Sequence, residues 1–81
     1  MKVKIADNEL TFRKPTPDEM EFAVDGKDDS GSALRRLAES CSTDREAFNR
    51  VRKEYPGAGV QIGDKLYAKA NAVPLVIIDT E

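Results

Sequence analysis

The stretch that most constrains the fold is Thr43–Ala72, where a strongly signalled helix runs into a Tyr55-Pro56-Gly57 corner and a second apolar-periodic segment returns from it. Thr43 can cap the first backbone N–H groups while Glu46, three residues on, reaches back, and Asp44 and Glu46 sit at the positive end of the helix dipole. Ala47, Phe48, Val51 and Tyr55 then recur as one stripe of a 3.6-residue period, with Arg45, Arg50, Arg52 and Lys53 largely outside it. The stripe predicts that Phe48 and Val51 are buried. Pro56 disfavours helical geometry at Tyr55, and Gly57 permits the positive φ often needed to reverse a chain. A helix over about 43–55 follows.

The segment beyond the corner supports two readings. Val60, Ile62, Leu66, Ala70 and Val73 fit a helical face, although Gly59 and Gly63 each cost about 1 kcal/mol relative to Ala in a helix. Alternatively, residues 60–68 form a hairpin about Gly63-Asp64. The period favours a helix over about 58–72.

Upstream, Lys2–Ile5 and Leu10–Arg13 alternate polar and apolar residues about the turn-forming Asp7-Asn8-Glu9. They predict a β-hairpin over about 2–13 that directs Val3, Ile5, Leu10 and Phe12 at the core. A lone hairpin is marginal in water, so it must pack on helices. Thr16-Pro17-Asp18-Glu19 is a capped helix start, with Thr16 as N-cap and Glu19 closing the box. This helix, about 17–25, is expected to bury Met20, Ala23 and Val24, to leave Phe22 off the stripe, and to end by Asp25-Gly26. Lys27–Ser32 reads as a polar loop, and Ser32 is the expected cap of a helix over about 32–41 that buries Leu34, Leu37, Ala38 and Cys41. Val73–Ile78 is β-branched and apolar. It suits either a strand at 75–78, with Pro74 at its start or on an edge, or a segment offered to a partner.

The fold class expected is α+β, mostly helical, in a single domain over 1–81: an N-terminal hairpin on three to four short helices. A chain of 81 residues buries only roughly 60–65% of its unfolded surface. That leaves no room for a large internal pocket and points to modest stability, or to stability supplied partly by association. The lone Cys41 has no intrachain disulfide partner, which fits a reducing compartment. The N-terminal residues lack the apolar run of a signal peptide, and Ala72–Ile78 is too short to span a bilayer, so a soluble, cytoplasmic protein is expected.

Charge is unevenly distributed along the chain. Residues 35–53 carry six cationic against three anionic side chains, whereas 18–29 carry six acidic residues against Lys27. With a net charge of −2, binding to nucleic acid would have to rest on the local basic patch. Charge matching between solvated faces, within or between copies, accounts for the pattern more simply.

The chemistry of catalysis is sparse. There is no histidine, no serine in a nucleophile elbow, no glycine-rich loop before a basic helix, and no partner to activate Cys41. The Lys27–Ser32 loop invites a calcium reading, but neither Gly26 nor Gly31 has the acidic ligands of an EF-hand loop around it. Asp28 and Asp29 lie where nothing would raise a carboxylate pKa. The residues therefore point away from an enzyme, a metal site or a cofactor site. A helix-turn-helix reading is equally thin, because the segment after the corner offers only Gln61, Lys65, Lys69 and Asn71 to DNA and contains two glycines.

Taken in order, the hairpin, Phe12-Arg13-Lys14-Pro15-Thr16-Pro17-Asp18-Glu19, the acidic-rimmed short helix, the helix ending at Cys41, Thr43-Asp44-Arg45-Glu46 and the Tyr55-Pro56-Gly57 corner resemble the small tail assembly chaperones of long-tailed phages and prophages. The resemblance runs from about Val3 to Ala72. It implies a mostly helical, non-catalytic protein that self-associates, exposes an apolar face and coats a long hydrophobic tape-measure protein until the tail tube polymerises around it. The candidate protein-binding residues are Phe22, Tyr55, Tyr67, Leu75, Val76 and Ile78. Two alternatives stay open: a small inhibitor or adaptor that binds one protein through its charged faces, and a nucleic-acid module using residues 35–53.

Overall fold

The computed structural model describes residues 1–24 and 29–78. Its order is β1 (Lys2–Ile5), β2 (Asn8–Thr11), α1 (Pro17–Val24), α2 (Ser30–Cys41), α3 (Arg45–Glu54) and α4 (Ala58–Asn71). The fold is α+β and mostly helical.

The two strands pair antiparallel, with Val3 opposite Leu10 and Ile5 opposite Asn8, so the loop is only Ala6-Asp7. Ala6 sits at φ 53°, a left-handed conformation that is costly for a residue with a Cβ. Leu10 and Phe12 are buried, while Val3 and Ile5 are half-buried against the same core. The outer edge of β2 is closed by the link between α2 and α3. Arg13 N–H donates to Cys41 O at 2.8 Å, and Thr43 N–H and Oγ1 donate to Thr11 O at 3.1 and 3.0 Å.

This use of Thr43 displaces the expected cap. The N-cap of α3 is Asp44, whose Oδ1 accepts from Ala47 N–H at 3.1 Å, because the Thr43 hydroxyl is committed to the hairpin. Likewise α2 starts before Ser32: Asp29 caps it, accepting from Ser32 N–H at 2.9 Å. The Thr16–Glu19 box is present in both directions. Glu19 Oε1 accepts from Thr16 N–H at 2.8 Å and Thr16 Oγ1 accepts from Glu19 N–H at 3.2 Å.

Phe12 and Phe48 meet edge to face at 5.3 Å in the centre of the core, with Leu37, Ala38, Cys41, Val51, Ile62 and Leu66 around them. Phe48 and Val51 are buried as their stripe predicts. In α1 the expectation holds only in part: Met20 and Ala23 are half-buried, but Val24 stays 57% exposed and the helix buries no residue completely. The helix end expected at Asp25-Gly26, and most of the Lys27–Ser32 loop, lie outside the described residues.

The Tyr55-Pro56-Gly57 corner does end α3, yet Gly57 has φ −79° and needs no left-handed conformation. It leads directly into α4, accepting from Gln61 N–H at 3.1 Å. Residues 58–71 are helical, so the helix reading of this segment holds over the hairpin. The buried face is Ala58, Gly59, Ile62, Gly63 and Leu66, and Val60 turns outward. Gly63 is what allows the close crossing of α4 on α2: a Cβ there would overlap the Leu34 carbonyl oxygen and lie 2.5 Å from the carbonyl carbon.

The strand considered at 75–78 is absent. Residues 73–78 have no regular partner, and Val73, Leu75, Val76, Ile77 and Ile78 are 60–92% exposed. A strand needs an edge as well as a suitable sequence. The edge of β2 is taken by the α2–α3 link, the tail forms no ladder with the other edge, at β1, and a tight turn bends the chain across Pro74, with Leu75 N–H donating to Val73 O at 2.7 Å.

Candidate functional site

Two surfaces stand out: the apolar tail at 73–78 and a mixed-charge groove. The groove, of about 630 Å³, lies between α1, α2 and α3, with Asp18, Glu19, Phe22, Arg36, Arg45 and Asn49 among its walls. Phe22 is 48% exposed and the Arg36 guanidinium lies 5.8 Å from its ring centroid.

One side of this groove is held by Arg13. Its guanidinium donates two parallel bonds to Glu19, at 2.7 and 2.8 Å, and a third to Ser40 O at 2.8 Å, tying the end of the hairpin to α1 and α2. The Arg13 bonds, with help from Thr16, hold the Glu19 carboxyl down to about 2. On the far side, Arg52 donates to Glu39 at 2.6 Å and lies 5.4 Å from the Phe48 ring centroid.

The basic stretch 35–53 is therefore largely spoken for within the fold. Arg35 and Arg52 both face Glu39, Arg50 faces Glu46 at 3.8 Å, and Arg36 covers Phe22. Among the described residues no three His, Cys, Asp or Glu side chains cluster as metal ligands. Cys41 is completely buried, and that burial pushes its thiol pKa up. Asp29 is shifted the other way by the N–H of Ser32, as expected of a cap.

The six residues read as protein-binding do not converge. Phe22 lines the charged groove, Tyr55 stands 39% exposed at the corner, and Tyr67 is half-buried on α4 against the core. Leu75, Val76 and Ile78 lie together in the tail, each 78–80% exposed. Sequence reasoning passed over Ile77, at 92% the most exposed of the large apolar side chains described. It also gave no hint of a second groove, of about 680 Å³, between β1 and α4. Val3 and Ile5 alternate as core residues do, and only the packing shows that their outer sides stay uncovered.

No protein-family model, curated protein or solved structure matches this chain. No helix among the described residues is long and apolar enough to cross a membrane.

Proposed function

We propose that this chain is a non-enzymatic protein-binding module that captures an apolar segment of a partner through its tail, in the manner of a phage or prophage tail assembly chaperone holding a tape-measure-type protein in the cytoplasm. The observation that supports the reading is the continuous run Val73–Ile78, whose five aliphatic side chains are 60–92% exposed while the core beside them is closed. Contiguous apolar surface of this kind marks sites of association.

The test is a pull-down with the tagged protein, expressed with the genes that flank it, at low and high salt. Capture of a long, helical, apolar protein at both salts is the expected result, because burial of apolar surface is insensitive to screening. Replacing Leu75, Val76 and Ile78 together with Ser is expected to abolish capture and leave helicity unchanged, since none of the three touches the core. Capture that survives the triple change would refute the assignment of the tail as the contact.

A second reading draws on the groove at Phe22, whose walls carry acidic Asp18 and Glu19 as well as basic Arg36 and Arg45. A surface with both signs suits an inhibitor or adaptor that docks one globular protein. Its mark would be a single partner lost at high salt.

A further inference from the structure

We infer that the groove between β1 and α4 is the seat for the Val73–Ile78 segment of a second copy of this chain, which joins β1 as an added strand. The inference shares with the capture reading only the exposed tail, and it needs no foreign protein.

The groove has the right floor. Met1, Val3, Ile5, Ala58, Ile62 and Ala68 line it, and they are apolar throughout. It also has a free strand edge. Met1 and Phe12 exchange both backbone bonds, N–H to O, at 2.7 and 2.8 Å. In an antiparallel pair that parity alternates, so the odd residues of β1 bond β2 while Lys2 and Lys4 turn their N–H and C=O groups to the opposite edge. The sheet has two strands, and among the described residues no other strand takes that edge. An unpaired edge beside apolar side chains is the setting for β-augmentation.

The tail fits it in length, shape and charge. Six extended residues span about 20 Å at the rise of a strand. The 14 residues of α4 span about 21 Å at the rise of a helix. Pro74, which has no N–H to donate, comes before the four residues Leu75–Ile78 that would pair, so it does not interrupt the ladder. The rim of the groove carries Lys4, Lys65 and Lys69, and the tail sequence continues into Asp79 and Glu81. Basic rim and acidic tail are complementary.

The chain's own tail stands outside its own groove, turned away at Pro74 and exposed along its length. A second copy can deliver its tail without that reversal. Two copies related by a two-fold axis exchange tails reciprocally, a closed isologous arrangement that leaves no apolar run over.

Light scattering on the full-length protein across a concentration series tests the idea, together with cysteine trapping. The wild type is expected to rise to twice the mass of one chain. A Leu75→Lys/Ile77→Lys variant is expected to associate at least tenfold more weakly with unchanged helical circular dichroism. Mixing K4C protein with V76C or I77C protein under mild oxidation is expected to give a covalent heterodimer; the two tail positions sample both faces of the added strand, and buried Cys41 provides the background control. A wild type that stays monomeric, a dimer that survives the tail substitutions, or the absence of the heterodimer in both mixtures would each overturn the inference. None of these readings involves a foreign partner, so a failed pull-down leaves the inference intact and a monomeric wild type leaves the capture reading intact.

Discussion

Gly63→Ala is the substitution that tests the architecture most directly, because two well-characterised effects on it have opposite signs. On helix propensity alone, Gly to Ala inside α4 stabilises by about 1 kcal/mol. The packing opposes this. The added Cβ would overlap the Leu34 carbonyl oxygen and lie 2.5 Å from the carbonyl carbon, where ordinary contact begins near 3.4 Å, and these are backbone atoms of α2 that cannot rotate away. The helices would have to part by on the order of 1 Å, which forfeits a quarter to a half of each dispersion contact across the gap.

Ile62 and Leu66, 4% and 3% exposed, are the side chains that α4 inserts into this interface. Complete truncation of a buried Ile or Leu costs about 2–5 kcal/mol. Loosening both by a quarter to a half therefore costs about 1–5 kcal/mol, centred on about 3, and the net effect after the propensity gain is a loss of about 2 kcal/mol. For 81 residues the whole folding free energy is of order 4–12 kcal/mol, so the variant is expected to be markedly unstable. In urea, with a slope of about 1 kcal/mol per molar for a chain of this size, its midpoint should fall by about 2 M. Gly59→Ala is the control, because its Cβ would meet side-chain rather than backbone atoms, the Cγ and Cβ of Arg35 at 3.0 and 3.8 Å and the Nε of Arg52 at 3.6 Å. It is expected to stay within about 1 kcal/mol of the wild type. A Gly63→Ala protein as stable as the wild type or more so would refute the close crossing.

Three further outcomes follow. The Glu19 carboxyl is held down to about 2 from 4.5 by Arg13, so its contribution to stability is complete above about pH 4.5 and is lost as the pH falls toward 2. Because Glu19 is 21% exposed and Arg13 46%, solvent screening reduces the loss to about 1–2 kcal/mol, and Glu19→Gln should flatten the acid limb of a pH-dependent urea series. Ala6→Gly relieves the left-handed φ of 53° and should raise stability by about 0.5–1 kcal/mol in thermal unfolding, whereas an unchanged or lowered midpoint would mean the hairpin loop is unstrained. Cys41, buried with a raised thiol pKa, should react with an aromatic disulfide reagent at least about a thousandfold more slowly in the native protein than in urea, and prompt native reaction would contradict its place in the core.

Much of the fold could be read from the sequence wherever one short signal decided one structural feature. The Thr16–Glu19 box, the Phe48–Val51 stripe and the corner before Pro56 are of this kind, and each is in the structure. Sequence and structure part where two residues can do one job. Thr43 and Asp44 are both capping types, as are Asp29 and Ser32, and the choice was made by distant partners: Thr43 turns to Thr11, 32 residues away. In α4 the buried face includes two glycines, which a hydrophobic period cannot count, so the period alone places Val60 on the stripe that Ala58 occupies. Val24 failed because α1 lies on the rim of the core, and burial at a rim depends on what covers it. The tail was legible as apolar and extended, but a strand's partner is a property of topology, so its exposure could not be read from its composition.

The core is closed without the tail, and this shapes what the tail can do energetically. Leu10, Phe12, Leu37, Phe48, Val51, Ile62 and Leu66 are each at most 4% exposed while the run 73–78 contributes nothing to their cover. Folding has therefore left the burial of five aliphatic side chains unrealised, at roughly 1.5–3 kcal/mol each. In a complex with one docked tail, that gain is set against the loss of translational and rotational freedom, about 4–15 kcal/mol, and against ordering of the segment. In a reciprocal pair the burial and the ordering both double, but the rigid-body loss is incurred once. Any net gain per tail thus favours exchange between two copies over a single tail docked on a partner. Where tails are exchanged in this way, a captured apolar protein would have to draw them out of the pair by mass action, so its apparent affinity should weaken as the concentration of this chain rises.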